Sequence, residues 1–128
     1  MLRSRFLVVD NLQGGRMRWF LVSSNNRRLG QDVALSDNYS DCRTAALRVK
    51  QNRAELKPHL FASDRDGRWA WRVALDDVPL ATACRTYLRV RECEYNLSRF
   101  LLALEEAEIV EGVRRVGDAG RPLSRSDR

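Results

Sequence analysis

The chain of 128 residues is long enough for one compact unit, or for two small halves that share a core. With 44% hydrophobic and 31% charged residues, its composition is that of a soluble globular domain. No apolar run has the length of a membrane span, and residues 6–9 are too short for the apolar core of a signal peptide. The sequence therefore predicts a cytoplasmic protein that does not use a membrane.

The formal net charge of +6 comes from 23 basic and 17 acidic residues that are unevenly distributed. Residues 1–57 carry +6, residues 58–113 carry −3 and residues 114–128 carry +3. All but two of the basic residues are arginine, which suits phosphate binding, although a GC-rich genome also encodes arginine by default. Residues 114–128 have little apolar content to bury, so we predict that they form a disordered basic tail.

Cysteine and histidine are too scattered for a disulfide framework or a metal site. Cys42, Cys84 and Cys93 are an odd number without close spacing, and His59 is the one histidine. We expect Cys42 and Cys93 to be small buried residues on helices. The sequence predicts no metal and no cofactor.

Turn residues and alternating apolar residues predict three strands and then a helix in the first half. The strands are expected at residues 6–10, 16–23 and 28–35, and the helix at about 41–55. Ser40 or Asp41 is the expected N-cap of this helix, and Lys57-Pro58 ends it.

The same order recurs in the second half. Strands are expected at residues 59–63, 68–75 and 78–83, with Asp66-Gly67 and Asp76-Asp77 in the turns, and a helix at about 90–110.

The two halves also share a residue pattern. Met17, Trp19 and Leu21 match Trp69, Trp71 and Val73 at an offset of 52 residues, and Tyr39, Ala45 and Val49 match Tyr87, Cys93 and Leu97 at an offset of 48. A unit of three strands and one helix cannot cover both its own faces. We therefore predict an α+β fold made of a tandem β-β-β-α repeat, with units at residues 1–57 and 58–113. Their strands join into one largely antiparallel sheet with both helices packed on one face.

This arrangement resembles the YegP-like family of small prokaryotic proteins over residues 5 to about 104. The resemblance rests on a Phe-led strand, a Trp-Phe-Leu or Trp-Arg-Val strand, a short third strand, a tyrosine and an amphipathic helix, all in tandem. It implies a tandem β-β-β-α fold and sometimes a homodimer, and it implies no established activity and no catalytic residues. The family often has a glycine in the turn before the third strand, where this chain has Ser23-Ser-Asn-Asn and Asp76-Asp77.

Residue patterns that would indicate an enzyme are weak. His59 has no nucleophile in a recognised motif, and Asp76-Asp77 is typical of turn chemistry. Gly14-Gly15 lacks the Lys-Ser/Thr of a phosphate-binding loop, and the glutamates between residues 105 and 111 are typical of a solvated helix end. The sequence predicts a protein that is not an enzyme, with no catalytic residue and no small-molecule substrate.

Two surfaces remain as candidate binding sites. Trp19, Trp69 and Trp71 share a face with aliphatic residues, which favours core packing over base stacking. The opposite sheet face is either a solvated surface or, together with the basic tail, a nucleic-acid-binding surface. Its residues are Arg16, Arg18, Phe20, Arg68 and Arg72.

A second apolar stripe recurs every seven residues on the second predicted helix, at Tyr95, Leu102 and Ile109. It indicates either a partner surface or partial burial against the rest of the chain. The first hypothesis is thus a non-enzymatic interaction module that binds a protein or forms a homodimer. The alternative is a nucleic-acid-binding protein that uses the arginine-rich sheet face.

Overall fold

The structure is a computed structural model that describes residues 3–10 and 15–115. Within these ranges, three strands and a helix occur twice, and one further strand follows. The elements in chain order are β1 (Arg5–Asp10), β2 (Met17–Val22), β3 (Arg28–Asp32), α1 (Tyr39–Gln51), a 3-10 turn (Arg53–Glu55), β4 (Lys57–Ala62), β5 (Trp69–Leu75), β6 (Val78–Thr82), α2 (Val90–Glu106) and β7 (Glu108–Arg115).

All seven strands form one sheet in the order β4-β5-β6-β3-β2-β1-β7. Neighbouring strands are antiparallel except β1 and β7, which are parallel. The two halves meet where β3 pairs with β6. The predicted α+β fold, with one largely antiparallel sheet and two helices, is confirmed.

The core lies between the helices and one face of the sheet. Trp19 and Trp71 are fully buried there, and Trp69 packs against the core at partial exposure. Phe6 contacts the Trp19 ring edge-on at 5.2 Å between centroids, and Phe100 of α2 lies 4.6 Å from the Trp71 ring. The predicted packing of the three indoles beneath the helices is therefore confirmed.

The first helix begins earlier than predicted. Asn38 is its N-cap, because the side-chain Oδ1 accepts a hydrogen bond from the backbone N–H of Asp41 at 2.8 Å. The prediction of Ser40 or Asp41 at this position is wrong, and the α-helix ends at Gln51 before the 3-10 turn. The third strand is also shorter than predicted, ending at Asp32, whose carboxylate accepts from the N–H of Ala34 and turns the chain.

The second helix ends at Glu106 and not near residue 110, as predicted. Residues 108–115 instead form β7, whose β-branched residues suit a strand and which pairs with the edge of β1. The tail was predicted to start at residue 114, but Arg114 and Arg115 belong to this strand, and residues 116–128 lie outside the described residues. One unit thus contributes a strand that covers the open edge of the other.

The helices of the two halves match at an offset of 51 residues, not 48. The buried positions Cys42, Ala46 and Val49 of α1 correspond at this offset to Cys93, Leu97 and Phe100 of α2. The predicted match failed because alanine and tyrosine carry little information about which side of a helix is buried. The same offset relates Gln31 to Thr82, which pair with each other where the halves join.

Candidate anion-binding groove

A groove opens where the two halves of the sheet separate. Only Gln31–Thr82 and Asp32–Ala81 pair β3 with β6. Beyond these pairs, β3 stays with β2, while Ala83 stays with β5 by donating its N–H to the Trp71 carbonyl at 3.0 Å. The space between the diverging chains and α2 has a volume of about 1090 Å³.

The α2 side of the groove is fixed to β3 and β5 by one asparagine. Asn96 accepts a hydrogen bond from the Trp71 Nε1 and donates its Nδ2 to the Leu29 carbonyl at 3.3 Å. Gly30 lets the helix come this close, because a Cβ there would lie 2.5 Å from the Phe100 ring. Since side chains locked in this way do not rearrange easily, the groove has a rigid base.

Arginine dominates the groove lining. Arg91 and Arg99 project from α2, four residues before and after Tyr95, so all three lie along one face of the helix. Three separate segments supply the other four arginines: the start of β3, the residue before β5 and the chain between β6 and α2. The six arginines are Arg27, Arg28, Arg68, Arg85, Arg91 and Arg99.

Few carboxylates offset this charge. Glu92 is the one acidic residue in the lining, and its carboxylate faces Arg89, accepting from the backbone N–H at 3.3 Å. Arg68 pairs with Asp66 at 3.9 Å. In residues 3–10 and 15–115, no carboxylate forms an ion pair with Arg27, Arg85, Arg91 or Arg99. The groove therefore presents concentrated positive charge.

Cys84 and Tyr87, which also line the groove, are neutral at neutral pH. Burial raises the pKa of the Cys84 thiol to about 11, although the charges of Arg28 and Arg18 act in the opposite direction. Burial likewise raises the pKa of the Tyr87 phenol. Because a thiol that stays protonated is a poor nucleophile, this lining favours binding over thiolate chemistry.

Aromatic and aliphatic side chains stand exposed at the rim. Tyr95 is 64% exposed and Leu88 is 67% exposed. The Arg99 guanidinium lies 5.8 Å from the Tyr95 ring centroid and donates to its hydroxyl at 3.3 Å, and Arg85 lies 5.6 Å from the Tyr87 ring. Guanidinium planes beside tyrosine rings form a surface on which planar anionic groups can bind.

The outer sheet face, away from the helices, carries a row of cross-strand partners. From β4 to β1 this row is His59, Arg72, Thr82, Gln31, Phe20 and Leu7. Cross-strand partners share one face, so the predicted residues Phe20 and Arg72 do lie together on the side opposite the indoles. Arg28 connects this face to the groove, because it lines the groove and its guanidinium lies 4.2 Å over the Phe20 ring.

The other predicted arginines are in different settings. Arg18 lies in β2 opposite Val9, and its buried Nε finds no hydrogen-bond partner among the residues the structure describes. Arg16 pairs with Asp37 at 3.5 Å, and Arg68 lines the groove. The five predicted residues are therefore spread over the outer face, one surface ion pair and the groove.

The predicted apolar stripe is divided by the end of α2. Tyr95 and Leu102 are each 64% exposed on the helix, as a partner surface requires. Ile109 does not continue the stripe, because it lies in β7 opposite Phe6 and packs against the core. Leu88 is also exposed, but it precedes the N-cap of α2 and therefore lies outside the helix that carries Tyr95 and Leu102.

Sequence reasoning missed most of the groove. Arg27, Arg28, Arg85, Arg91 and Arg99 were not singled out, and they come from distant parts of the chain. One local signal could have found part of it: the segment before and into α2 has arginines at 85, 89 and 91, and Arg91, Tyr95 and Arg99 follow at four-residue spacing.

In the part of the chain that the structure describes, no group of three or more His, Cys, Asp or Glu side chains could hold a metal ion. None of the described helices is long and apolar enough to cross a membrane.

Comparison with known proteins identifies the fold. No protein-family model matches the chain, and no curated protein sequence matches it. The solution structure of yegP from E. coli, a protein of unknown function, superimposes with a TM-score of 0.71 at 8% identity, covering 88% of this chain and 96% of that one. The UPF0339 protein SO3888 from Shewanella oneidensis gives a TM-score of 0.67 at 8% identity, covering 90% and 92%. The chain therefore has the fold of these YegP-like proteins.

Proposed function

We propose that the protein is a non-enzymatic binding module and that its groove binds nucleic acid. The observation that carries this proposal is a groove with six arginines and a single acidic residue, Glu92. Arginine presents a planar fork of donors that fits phosphate, and phosphate contacts supply most of the affinity of nucleic-acid-binding proteins. We also propose a cytoplasmic location, where such a ligand is available.

Nucleic acid fits the rim better than an acidic peptide does. A peptide carboxylate would use the arginines but would leave Tyr95 and Leu88 exposed to water. A nucleotide offers both a phosphate for the arginines and a flat base for the tyrosine rings. The groove is also joined through Arg28 to the outer sheet face, where Phe20 and Arg72 extend the same combination of residues.

The experiment measures fluorescence anisotropy of a labelled mixed-sequence oligonucleotide at several salt concentrations. We expect binding at low salt that weakens steeply as salt rises, because bound arginines release counterions. The double variant Arg91→Gln/Arg99→Gln should lose about tenfold or more in affinity.

The matched control is Arg48→Gln/Arg115→Gln, which removes the same charge from outside the groove. Arg48 corresponds to Arg99 at the offset of 51 residues and is exposed on α1. This control should bind nearly as the natural sequence does. Equal losses in the two double variants would mean that overall charge, and not the groove, holds the nucleic acid, and the proposal would then be wrong.

A second candidate function is self-association through the exposed face of α2 that carries Tyr95 and Leu102. It is favoured by the exposure of 64% of each of these large side chains, which lie seven residues apart on one side of the helix. Leu102→Glu should then convert a dimer into a soluble monomer, as measured by light scattering. A mass that is the same in both proteins would rule this function out.

We further propose that the chain belongs to the YegP-like family as two β-β-β-α units in tandem. The shared fold supports this, as do the coincident buried positions of α1 and α2 at an offset of 51 residues. The extra strand β7 is then an addition to the repeated pattern.

A further inference from the structure

We infer that the groove takes single-stranded nucleic acid by stacking a base on Tyr95. This inference rests on the proposed function and names its ligand more closely. It is drawn from the placement of one exposed aromatic ring between two arginines on the same helical face.

The Tyr95 ring is held in place but left uncovered. Arg99 donates to its hydroxyl at 3.3 Å, while 64% of the residue remains exposed. An uncovered ring that is already positioned loses little conformational freedom when a base stacks on it. Base stacking on such rings is the common way in which proteins bind single strands without reading their sequence.

Arg91 and Arg99 flank this ring at regular spacing. Four helical residues span about 6 Å, so each arginine originates about 6 Å along the helix from Tyr95. One arginine can therefore contact the phosphate before a stacked nucleotide and the other the phosphate after it. No carboxylate in the described ranges forms an ion pair with either arginine, so Arg91 can turn toward the ligand. Arg99 donates to the Tyr95 hydroxyl through Nη1 and keeps its other N–H groups for a phosphate.

A duplex cannot use this site in the same way. Its bases are stacked on one another, so their flat faces are not available to a side chain on a rigid helix. A duplex could contact the outermost arginines through phosphates, but it would gain nothing from Tyr95. The geometry thus sets a preference for single strands.

The test compares a labelled single-stranded oligonucleotide with its own duplex, using the full chain and three proteins: the natural sequence, Tyr95→Ala and Tyr95→Phe. We expect the natural protein to bind the single strand at least about tenfold more tightly. Tyr95→Ala should lose about 5- to 100-fold in single-strand affinity and little in duplex affinity. Tyr95→Phe keeps the ring and should bind the single strand nearly as the natural sequence does.

Salt dependence gives an independent measurement. Removing Arg91 and Arg99 should lower the slope of log K against log salt by about 1.4 for a single strand, since each phosphate contact contributes about 0.7. Circular dichroism of each variant checks that the fold is retained.

The outcomes separate this inference from the proposed function. Equal affinity for both forms, with no effect of Tyr95→Ala, overturns the stacking inference and leaves nucleic-acid binding intact. No binding of either form at low salt overturns both. Competition by a poly-glutamate peptide as effective as that by unlabelled oligonucleotide also overturns both, because the groove would then be a site for acidic peptides.

Discussion

In the second half of the chain Trp71 donates its indole N–H to Asn96, whereas the equivalent indole of the first half, Trp19, has no hydrogen-bond partner in the described part of the chain. The residue that corresponds to Asn96 at the offset of 51 is Ala45, which has no polar atom in its side chain. Both indoles are fully buried. Both halves thus bury an indole in the core, and they differ in the polar contacts around it.

The segments that lead into the two helices also differ, in the charged residues that they carry. Before and into α1 it carries Asp37 and Asp41, and Asp37 pairs with Arg16. Before and into α2 it carries Arg85, Arg89 and Arg91. Because burial constrains apolar residues and leaves exposed positions unconstrained, one framework can carry different charged residues where the chain enters each of its two helices.

The largest expected effect tests the close approach of α2 at Gly30. At the offset of 51 residues the counterpart of Gly30 is Ala81 and the counterpart of Phe100 is Val49, so the corresponding pair has a larger residue on the strand and a smaller one on the helix. In Gly30→Ala the new Cβ would lie 2.5 Å from the Phe100 ring, and we expect a loss of about 3 kcal/mol in the free energy of unfolding, measured by urea denaturation.

The double variant Gly30→Ala/Phe100→Val introduces the residues of the corresponding pair, Ala81 and Val49, and sharpens this test. The double variant should lose clearly less free energy of unfolding than the two single variants lose together, because the valine removes the ring that the new methyl group meets. Strictly additive losses of stability would show that the side chains at positions 30 and 100 do not interfere with one another sterically.

The next expected effect concerns a buried carboxyl group present in the first half alone. Asp32 is 5% exposed, and its counterpart at the offset of 51 is the apolar Ala83. Burial raises the pKa of Asp32 to about 6, while the N–H of Ala34 and the charge of Arg18 partly oppose this. The folded state therefore holds the proton more tightly than the unfolded chain does.

The stability linked to Asp32 is accordingly present below about pH 4 and is lost as the pH rises through about 6. Asp32→Asn keeps an oxygen for the Ala34 N–H and removes the charge. We expect it to raise the free energy of unfolding by about 2 kcal/mol at pH 7.5 and to change it little at pH 4. Urea denaturation at both pH values measures this difference, and an equal effect at the two values would contradict the shifted pKa.

The spacing of apolar residues was enough to predict the fold, because burial of one face of a strand or helix imposes that spacing directly. Alternation in β2 and β5 and the apolar arcs of the helices located the sheet, its two helices and the buried indoles. It failed at β7, since Ile109 continues a seven-residue helical spacing even though its β-branched neighbours favour a strand. Gly112, with φ of +90°, lies where the pairing of β7 with β1 shifts register. Local sequence cannot indicate that β1 offers an edge for β7 to pair with.

The groove could not be predicted because its charge comes from separate elements. Residues 58–113 carry a net negative charge, yet they supply Arg68, Arg85, Arg91 and Arg99 to the groove. The partners Arg27 and Arg28 come from the other half. These segments line one groove because β3 and β6 separate beside α2. That separation depends on pairing between strands that are distant in sequence.

An effect of similar size, in the opposite direction, is expected when the second half is made to resemble the first. Asn96→Ala leaves the Trp71 N–H and the Leu29 carbonyl without their partner, so we expect a loss of about 2 kcal/mol in the free energy of unfolding. Ser98→Ala, an exposed position on the same helix, controls for helix propensity and should change stability by a few tenths of that amount. Equal effects of the two variants would mean that the indole hydrogen bond contributes nothing.

The smallest expected effect comes from the reverse change, Ala45→Asn, which gives the first half an asparagine where the second has Asn96. Position 45 is partly buried against the core and corresponds to Asn96, so we expect the new amide to accept from the Trp19 N–H. The hydrogen bond satisfies a buried donor at a cost of about 0.7 kcal/mol in helix propensity, and we expect a net gain of about 1 kcal/mol. Thr44→Asn is the control, because it places the same residue at an exposed neighbouring position with no indole to satisfy. A gain in the free energy of unfolding, together with a changed NMR shift of the Trp19 indole proton, would show that this N–H lowers stability when the described residues give it no partner. A loss of stability equal to that of the control would show that leaving the N–H without a partner there costs no stability.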